Sequence, residues 1–552
     1  MSTPSPTSPR KLLDAAVRCL PAICVGLLPL SRGHAAEPDK PSLTTFGPCF
    51  KIDGSVELVW MRSFLGPTGA IGWFHGSEIV VREVIPGSPA DGLIKEGDVI
   101  VAADGHELGP DPRVGMGYAV ADAQARDGRL GLTIYRDGGF LPVVVPLPVL
   151  GATPAAWPLD GGNKSAVVHR QFCDHLAATQ STDGEFGERP ASSASGLILL
   201  AHPDPRYLES ARRLAYSYVR HPAGIDGMGS WSCGYTAIYL AEYYLVTGDR
   251  AVLPELERVC REIARGQAPS GAWGHGANYT RSYAVGGMVN MCGITNWLGL
   301  ILGRHAGVAV DQQALDKATS FFGSFTDRSS TPYGDHEPFV GGRGNGKDAV
   351  AAVAFDLLGD RTRARQWGRY VTDWYSDWEG GHTGSFFSYF WNPLGGLRTP
   401  QPQDYLSMMG KQAWFFEMAR SWDGAGLLSD GVDYNGRRPQ FCTPAVAVPF
   451  AIGTGRRRLA VMGAADSPFR PGTYLPVIEQ ACQLHFVRKW DEVEKLLGGH
   501  QFTGTDAAHA EWLLGAAAAA RASVGQTLDG ARSNLEREWD PDLAKRQPVP
   551  AA

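Results

Sequence analysis

Two imidazole–carboxylate pairings stand out in the chain. His336 and Glu337 are adjacent in "GDHEPFV", and Glu379 lies three residues before His382 in "WEGGHTG". A carboxylate beside an imidazole moves its titration across neutral pH, which is what general acid–base catalysis requires. Arg343 and Lys347 of "GGRGNGKDA", with Lys411 further on, would hold a substrate carboxylate or stabilise a developing oxyanion. Trp231, Trp273 and Tyr279 are rings on which sugars stack, and His275 and Arg281 lie beside them in sequence. The chemistry these residues describe is attack on an acidic polysaccharide. A histidine or tyrosine takes a proton and a cation stabilises the enolate-like charge, in a lyase, or the pair assists a hydrolase.

The same residues also suit a non-catalytic scaffold, because His, Glu and Arg in Gly-rich loops commonly satisfy backbone groups. In that alternative the helical part binds glycan or peptide without turning it over. His275, His336 and His382 come from three loops with no short-range ligand spacing, so a metal site has no geometry in the sequence and none is expected. No cofactor is expected either. "GGRGNGKDA" nearly spells a phosphate-binding P-loop, but Asp348 stands where Ser or Thr would hold Mg²⁺, and no apolar strand precedes it. Its glycines instead suit a loop that turns backbone N–H groups toward an anion at a helix start. There is no Gly-x-Ser-x-Gly elbow and no His-Glu-x-x-His helix to support a protease.

The elements that must position these residues are helices. From about residue 165 two kinds alternate. "CGYTAIYLAEYYLV" and "GKDAVAAVAFDLLG" are apolar all round; "VLPELERVCREIA" and "RTRARQWGRYVTDWY" carry one charged face. The first kind is buried and the second lies outside. Alternating inner and outer helices in hairpins describe an α/α toroid over 165–431, with an open solenoid of helix pairs as the competing arrangement. In a toroid all inner helices start at one rim, so the loops bearing the candidate residues converge there. Two segments repeat: Gln180, Gly184 and Gly187 recur as Gln267, Gly271 and Gly274, 87 positions on. After residue 431, "VAVPFAIGTGRRRLAVMGA" reads as a turn-rich connection, and helices resume toward the C-terminus over 432–552.

Before the helices, residues 47–150 read as short strands with turn punctuation, ending in a hairpin at Asp137-Gly138. Residues 1–36 read as a secretory signal: Arg10 and Lys11, an apolar stretch from Cys19 to Leu30, and small residues before Ala35 and Ala36. A periplasmic or secreted location follows, with no stable membrane span after signal removal. The chain of 552 residues has ordinary globular composition, 44% hydrophobic and 20% charged, and a net charge of −6 gives no reason to expect nucleic acid. Of nine cysteines, two lie in the apolar stretch; the other seven have no C-x-x-C spacing and read as buried thiols.

Two resemblances add to this reading. "VIPGSPADG" (Val84 to Gly92) and "EGDVIVAADG" (Glu96 to Gly105) resemble PDZ domains in the bacterial arrangement. That resemblance implies capture of a protein or peptide C-terminus as an added strand, with Ile71, Gly72 and Trp73 of "AIGWF" as the binding loop. A PDZ fold kept only to dock on its own second domain is the other implication. The Gln–Gly–aromatic–Gly repeat is similar to repeats of the terpene cyclase and protein prenyltransferase toroids, which implies the fold alone, since no Asp-x-Asp-Asp acid occurs here. As a whole the chain is similar to secreted bacterial proteins joining a PDZ domain to a toroid, a group that implies no activity. The expected class is therefore multidomain: a small β-rich domain, an α/α toroid and a helical C-terminal extension.

Overall fold

The computed structural model describes residues 62–277, 282, 287–328, 330–337, 344–380, 385–428, 439–454, 458–464, 476–486, 489–503 and positions scattered through 507–518. The residues read as a secretory signal lie outside this set.

The N-terminal part is an antiparallel sheet. Its strands are β1 (Arg62–Phe64), β2 (Ala70–His75), β3 (Glu78–Val84), β4 (Val99–Ala103), β5 (His106–Glu107), β6 (Arg129–Arg136) and β7 (Gly139–Pro146). They lie in the order β1-β2-β3-β4-β6-β7, with β5 paired to β4. The pleat sends alternate residues to opposite faces, so Leu130, Leu132 and Ile134 of β6 are buried while their neighbours are more open. Helix α1 (Pro112–Ala125) covers β4 and β6 and adds Met116, Val120 and Ala123 to the core. Asp111 caps it by accepting the Arg113 N–H, with Pro112 at the first helical position. The β6–β7 turn falls at Asp137-Gly138, where both residues have positive φ (51° and 88°), as a two-residue hairpin of this hand demands.

The peptide-binding expectation for this domain meets an obstacle in the sheet itself. Both edges of β2 are taken. β3 pairs one side, and the chain's own β1 pairs the other, with Arg62 opposite Trp73, Ser63 opposite Gly72 and Phe64 opposite Ile71. Ile71 is a buried core residue. A Cβ at Gly72 would lie 2.2 Å from Ile79 Cγ2, so this glycine serves close packing inside the sheet. Along Ile71–Trp73, the residues read as the binding loop, β1 holds the edge that an added strand would use.

The helical part is a closed double ring. The inner helices are α3 (Arg189–Ala201), α5 (Gly229–Thr247), α7 (Asn290–His305), α9 (Lys347–Leu357), α11 (Phe386–Gly396) and α13 (Pro439–Gly453). Each packs on the next, and α13 packs back on α3, closing the circle. The outer helices are α2 (Gly162–Thr179), α4 (Leu208–Arg220), α6 (Leu253–Arg265), α8 (Gln312–Gly323), α10 (Arg361–Asp373) and α12 (Pro402–Met418). The toroid therefore starts at Gly162 and its ring closes at Gly453, not near residue 431. The segment read as a turn-rich connection supplies the sixth inner helix; Pro444 and Pro449 within it hide the helix from a propensity reading. Small residues let the inner helices approach: a Cβ on Gly395 of α11 would lie 2.3 Å from Ala349 Cα of α9.

Trp391 of α11 donates its indole N–H across the axis to the Tyr235 hydroxyl of α5, at 2.9 Å, and both are fully buried. At the face opposite the inner-helix starts, the turn Ala460–Met462 is held by two side chains. Glu242 of α5 accepts the N–H groups of Ala460 (3.0 Å) and Val461 (2.8 Å), and Arg398 donates to the Val461 carbonyl at 2.7 Å. Beyond the toroid, α14 (Pro476–Phe486) and α15 (Trp490–Leu497) share a small separate core with Leu513 and Ala517.

The sheet domain is fastened to the toroid through α1 and α12. A Cβ on Gly117 would meet the Trp414 carbonyl at 2.6 Å, so the two helices touch backbone to backbone. Around this contact lies a buried polar network. Lys164 of α2 is 2.7 Å from Glu417, Glu417 also pairs with Arg420, and Arg420 donates to Gln124 of α1 at 2.6 Å.

The repeat seen in sequence is one structural device. Gln180 donates to the carbonyls of Gly184 (2.7 Å) and Ser210 (2.8 Å); Gln267 donates to those of Gly271 (3.0 Å) and Ala314 (2.8 Å). Each glutamine ties its own turn to the following outer helix. A third copy, Arg420 to Leu427, keeps the turn through Ser421 N–H to Ala425 O at 2.8 Å and Gly424 at φ 85°, but has arginine in place of glutamine. Cys173, Cys233, Cys260 and Cys292 are buried thiols whose acidity burial suppresses.

Candidate functional site

The rim where the inner helices begin carries the candidate residues, and the structure treats them very differently. Trp231 sits in the first turn of α5, half-buried. Its indole N–H donates to Nδ1 of His275 at 2.9 Å, and the rings are stacked with centroids 6.2 Å apart. Phe387, in the first turn of α11, lies 5.7 Å from Trp231. Burial holds the His275 imidazole below its ordinary value, so it is neutral at pH 7. These three side chains, from three loops or helix starts, form one aromatic platform.

The imidazole–carboxylate pairings are absent where they can be seen. His336 donates from Nδ1 to the backbone carbonyl of Glu337 at 2.8 Å, while the exposed Glu337 carboxylate pairs with exposed Arg328 at 2.6 Å. The two side chains take different partners, which is why adjacency in sequence does not deliver the pair. Glu379 accepts from Arg113 of the sheet domain at 2.5 Å, so its charge is spent on the contact between domains. His382, Tyr279, Arg281 and Arg343 lie outside the described residues, and with His382 goes the three-histidine metal arrangement. Lys347 is not a rim cation: it is buried, donates to the Gly344 carbonyl at 2.7 Å, and burial pulls it down to about 8. Lys411 is exposed on the outer helix α12, 4.5 Å from the centre of the Tyr375 ring. Trp273 is fully buried and donates to the Ile263 carbonyl at 2.8 Å, so no sugar reaches it.

Sequence reasoning passed over a polar pocket beside Phe387. It lies between α9, α10 and α11, holds about 20 Å³, and is room for one water-sized group. Tyr370, Trp374 and Trp378 wall it, and Asn345, Asp348, Ser388 and Asn392 supply the polar atoms. Asn345 and Gly346 both have positive φ (44° and 79°), which swings the loop into α9. Asn345 is 8% exposed; its Oδ1 accepts from Ser388 at 3.4 Å, and its Nδ2 has no partner among the described residues. Asp348 accepts the Thr331 N–H at 2.7 Å and the Ser330 hydroxyl at 3.1 Å, and burial raises its carboxyl to about 6. The carboxylate expected as a guest at this helix start is thus partly supplied by the chain. The one sequence signal was Asn345-Gly346, a dipeptide suited to left-handed backbone.

Fold and rim together define a protein of one class: an α/α toroid of six helical hairpins with an antiparallel sheet domain docked on its outer layer. The profile of the family described as domain of unknown function DUF6288 matches residues 165–463, more than half of the chain, and the chain belongs to that family. Among solved structures, the GH76A alpha-1,6-mannanase from Salegentibacter sp. HEL1_6 is similar at 11% identity and a TM-score of 0.42, over 52% of this chain and 99% of the mannanase. An inactive variant of that mannanase in complex with alpha-1,6-mannotriose is similar at 12% identity and a TM-score of 0.39, over 53% and 99%. No curated protein matches the chain.

Proposed function

We propose that the toroid rim binds a glycan and that the protein acts outside the cytoplasm as a glycan-binding module. The observation that carries this is the Trp231–His275 pair: a half-buried indole locked in place by its own N–H bond, at the rim where the inner helices begin. A fixed aromatic face with a few placed hydrogen-bonding groups suits a sugar ring. The segment from Arg10 to Ala36 supports export to the periplasm or medium. The sheet is read as a PDZ-like domain kept for docking: β1 occupies the edge a partner's C-terminus would use, and Arg113 ties the domain to the rim.

Cleavage of the glycan, by a hydrolase or a lyase, is the second reading. It is favoured by the place of Asp348 in the lining of the pocket between α9, α10 and α11, where burial raises its carboxyl to about 6. Purified mature protein is assayed on neutral and acidic polysaccharides for binding, new reducing ends and unsaturated products, beside Trp231→Ala. Binding that falls at least tenfold in the variant supports the rim reading. Binding that persists unchanged, or no binding to any glycan of the panel, overturns it.

A further inference from the structure

We propose that a groove on the outer flank of the toroid is a second binding site, distinct from the Trp231 platform, and that it takes a small anion bearing two or more carboxylates or phosphates. The groove runs between the Ser181–Glu185 turn and α4, and has a volume of about 490 Å³. That is the size of a small-molecule site. Thr182, Asp183, Arg212, Arg213, Tyr216 and Arg220 line it. The helical repeat puts Arg212, Tyr216 and Arg220 on one face of α4, with Arg213 beside them.

The arginines are held in place. Arg213 donates to the Ser181 carbonyl and Arg220 to the Asp183 carbonyl, each at 2.8 Å. Arg212 is matched by Glu209, at 3.0 and 3.1 Å, and lies 5.5 Å from the Tyr216 ring centre. Asp183 is the carboxylate of the lining, and it is turned into the loop through Ser181 and the Glu185 N–H. Against Arg213 and Arg220 it leaves positive charge in excess. One oxyanion gains little at a solvated surface. A ligand with two such groups engages both planar forks together.

Arg213 and Arg220 support the turn, but the turn does not require the whole set. The same turn recurs at Gln267–Gly274. There a Cβ on Gly271 would meet the Lys317 carbonyl at 2.3 Å, as one on Gly184 would meet the Arg213 carbonyl at 2.5 Å. Gln267 reaches the Ala314 carbonyl as Gln180 reaches that of Ser210. In this register Asp316, Lys317, Ser320 and Ser324 stand where Arg212, Arg213, Tyr216 and Arg220 stand. The turn is thus built a second time with one cation, Lys317, and without basic counterparts of Arg212 and Arg220, so the additional positive charge belongs to the groove.

The test is calorimetric titration of the full mature chain with citrate and with pyrophosphate at low salt. Arg220→Ser copies the second repeat and keeps the turn; Thr182→Glu adds a carboxylate to the lining and touches none of the arginine bonds. Each is expected to weaken binding at least tenfold, with Trp231→Ala unchanged. Tighter binding of citrate assigns the site to carboxylates, and of pyrophosphate to phosphates. The proposal is overturned by no binding of either anion, by binding that both groove variants retain, or by binding lost in Trp231→Ala.

Discussion

The indole N–H of Trp231 donates to Nδ1 of His275 at 2.9 Å, and this fixes the protonation of the ring. An indole N–H only donates, so Nδ1 is the bare nitrogen and the neutral imidazole carries its proton on Nε2. A proton added to Nδ1 removes the acceptor. The fold already lowers this histidine below 6.5 through burial. The folded state therefore binds fewer protons than the unfolded chain. The contribution is present above 6.5 and is lost as pH falls through the lower folded value. His275→Ala is expected to cost about 1 kcal/mol of stability. It should also flatten the acid-side change in Trp231 fluorescence, which a pH titration of both proteins would read.

Arg113 is 4% exposed and serves Asp111 and Glu379 together, while its guanidinium lies 5.1 Å from the Trp414 ring centre. The two acids are more open. Removing the cation strands two carboxylates and a packed stem; removing Glu379 leaves Arg113 still paired with Asp111. Arg113→Ala should therefore cost about 3 kcal/mol and Glu379→Ala about 1 kcal/mol. Denaturant titration gives the two values. Hydrogen exchange should show faster opening of α1 in Arg113→Ala; equal costs would mean that the contact between domains does not rest on Arg113.

How much of this was readable in sequence depends on the range of the interaction. Inner and outer helices were legible because a buried helix is apolar all round, as in α5, and an outer one such as α6 keeps a charged face. The sixth inner helix was not, since two prolines argue against a helix and only closure of the ring overrides them. The repeat was legible where Gln180 and Gln267 spell it; the third copy was masked by Arg420, which trades the glutamine's turn bond for Glu417 and Gln124. At the rim, Trp231 and His275 were identified by type and do meet. Lys347 and Glu379 were misread because a lysine folding back on Gly344, or a partner 266 residues away in Arg113, leaves no local pattern.

Glu242 should make the toroid more stable in mild acid. Burial raises its carboxyl to about 7 from 4.5, against the pull of two backbone N–H groups. The folded state binds the extra proton, so the contribution is full below 4.5 and is lost as pH rises through about 7. The loss is on the order of 3 kcal/mol. Melting curves of the wild type from pH 5 to 8 should decline relative to Glu242→Gln, which does not titrate. Parallel curves would show that the carboxyl does not hold its proton there.

The pocket beside Phe387 separates binding from cleavage. Asn345 offers a buried N–H group without a partner among the described residues, and a ligand hydroxyl that meets it gains a bond the free protein lacks. Asn345→Ala should weaken glycan binding about tenfold, equivalent to about 1.4 kcal/mol. Asp348→Asn keeps an oxygen to accept the Thr331 N–H but cannot release a proton. It should bind glycan within about twofold of the wild type, the cost of a retained neutral acceptor being small. Its folded carboxyl near 6 exceeds the ordinary 3.8, so the wild type loses stability as pH rises through 6 and the asparagine variant does not. If the wild type releases product and Asp348→Asn binds without releasing any, Asp348 is the proton donor and the rim is an active site. If product persists in the variant, the pocket takes no more than a ligand hydroxyl and the proton comes from elsewhere on the rim.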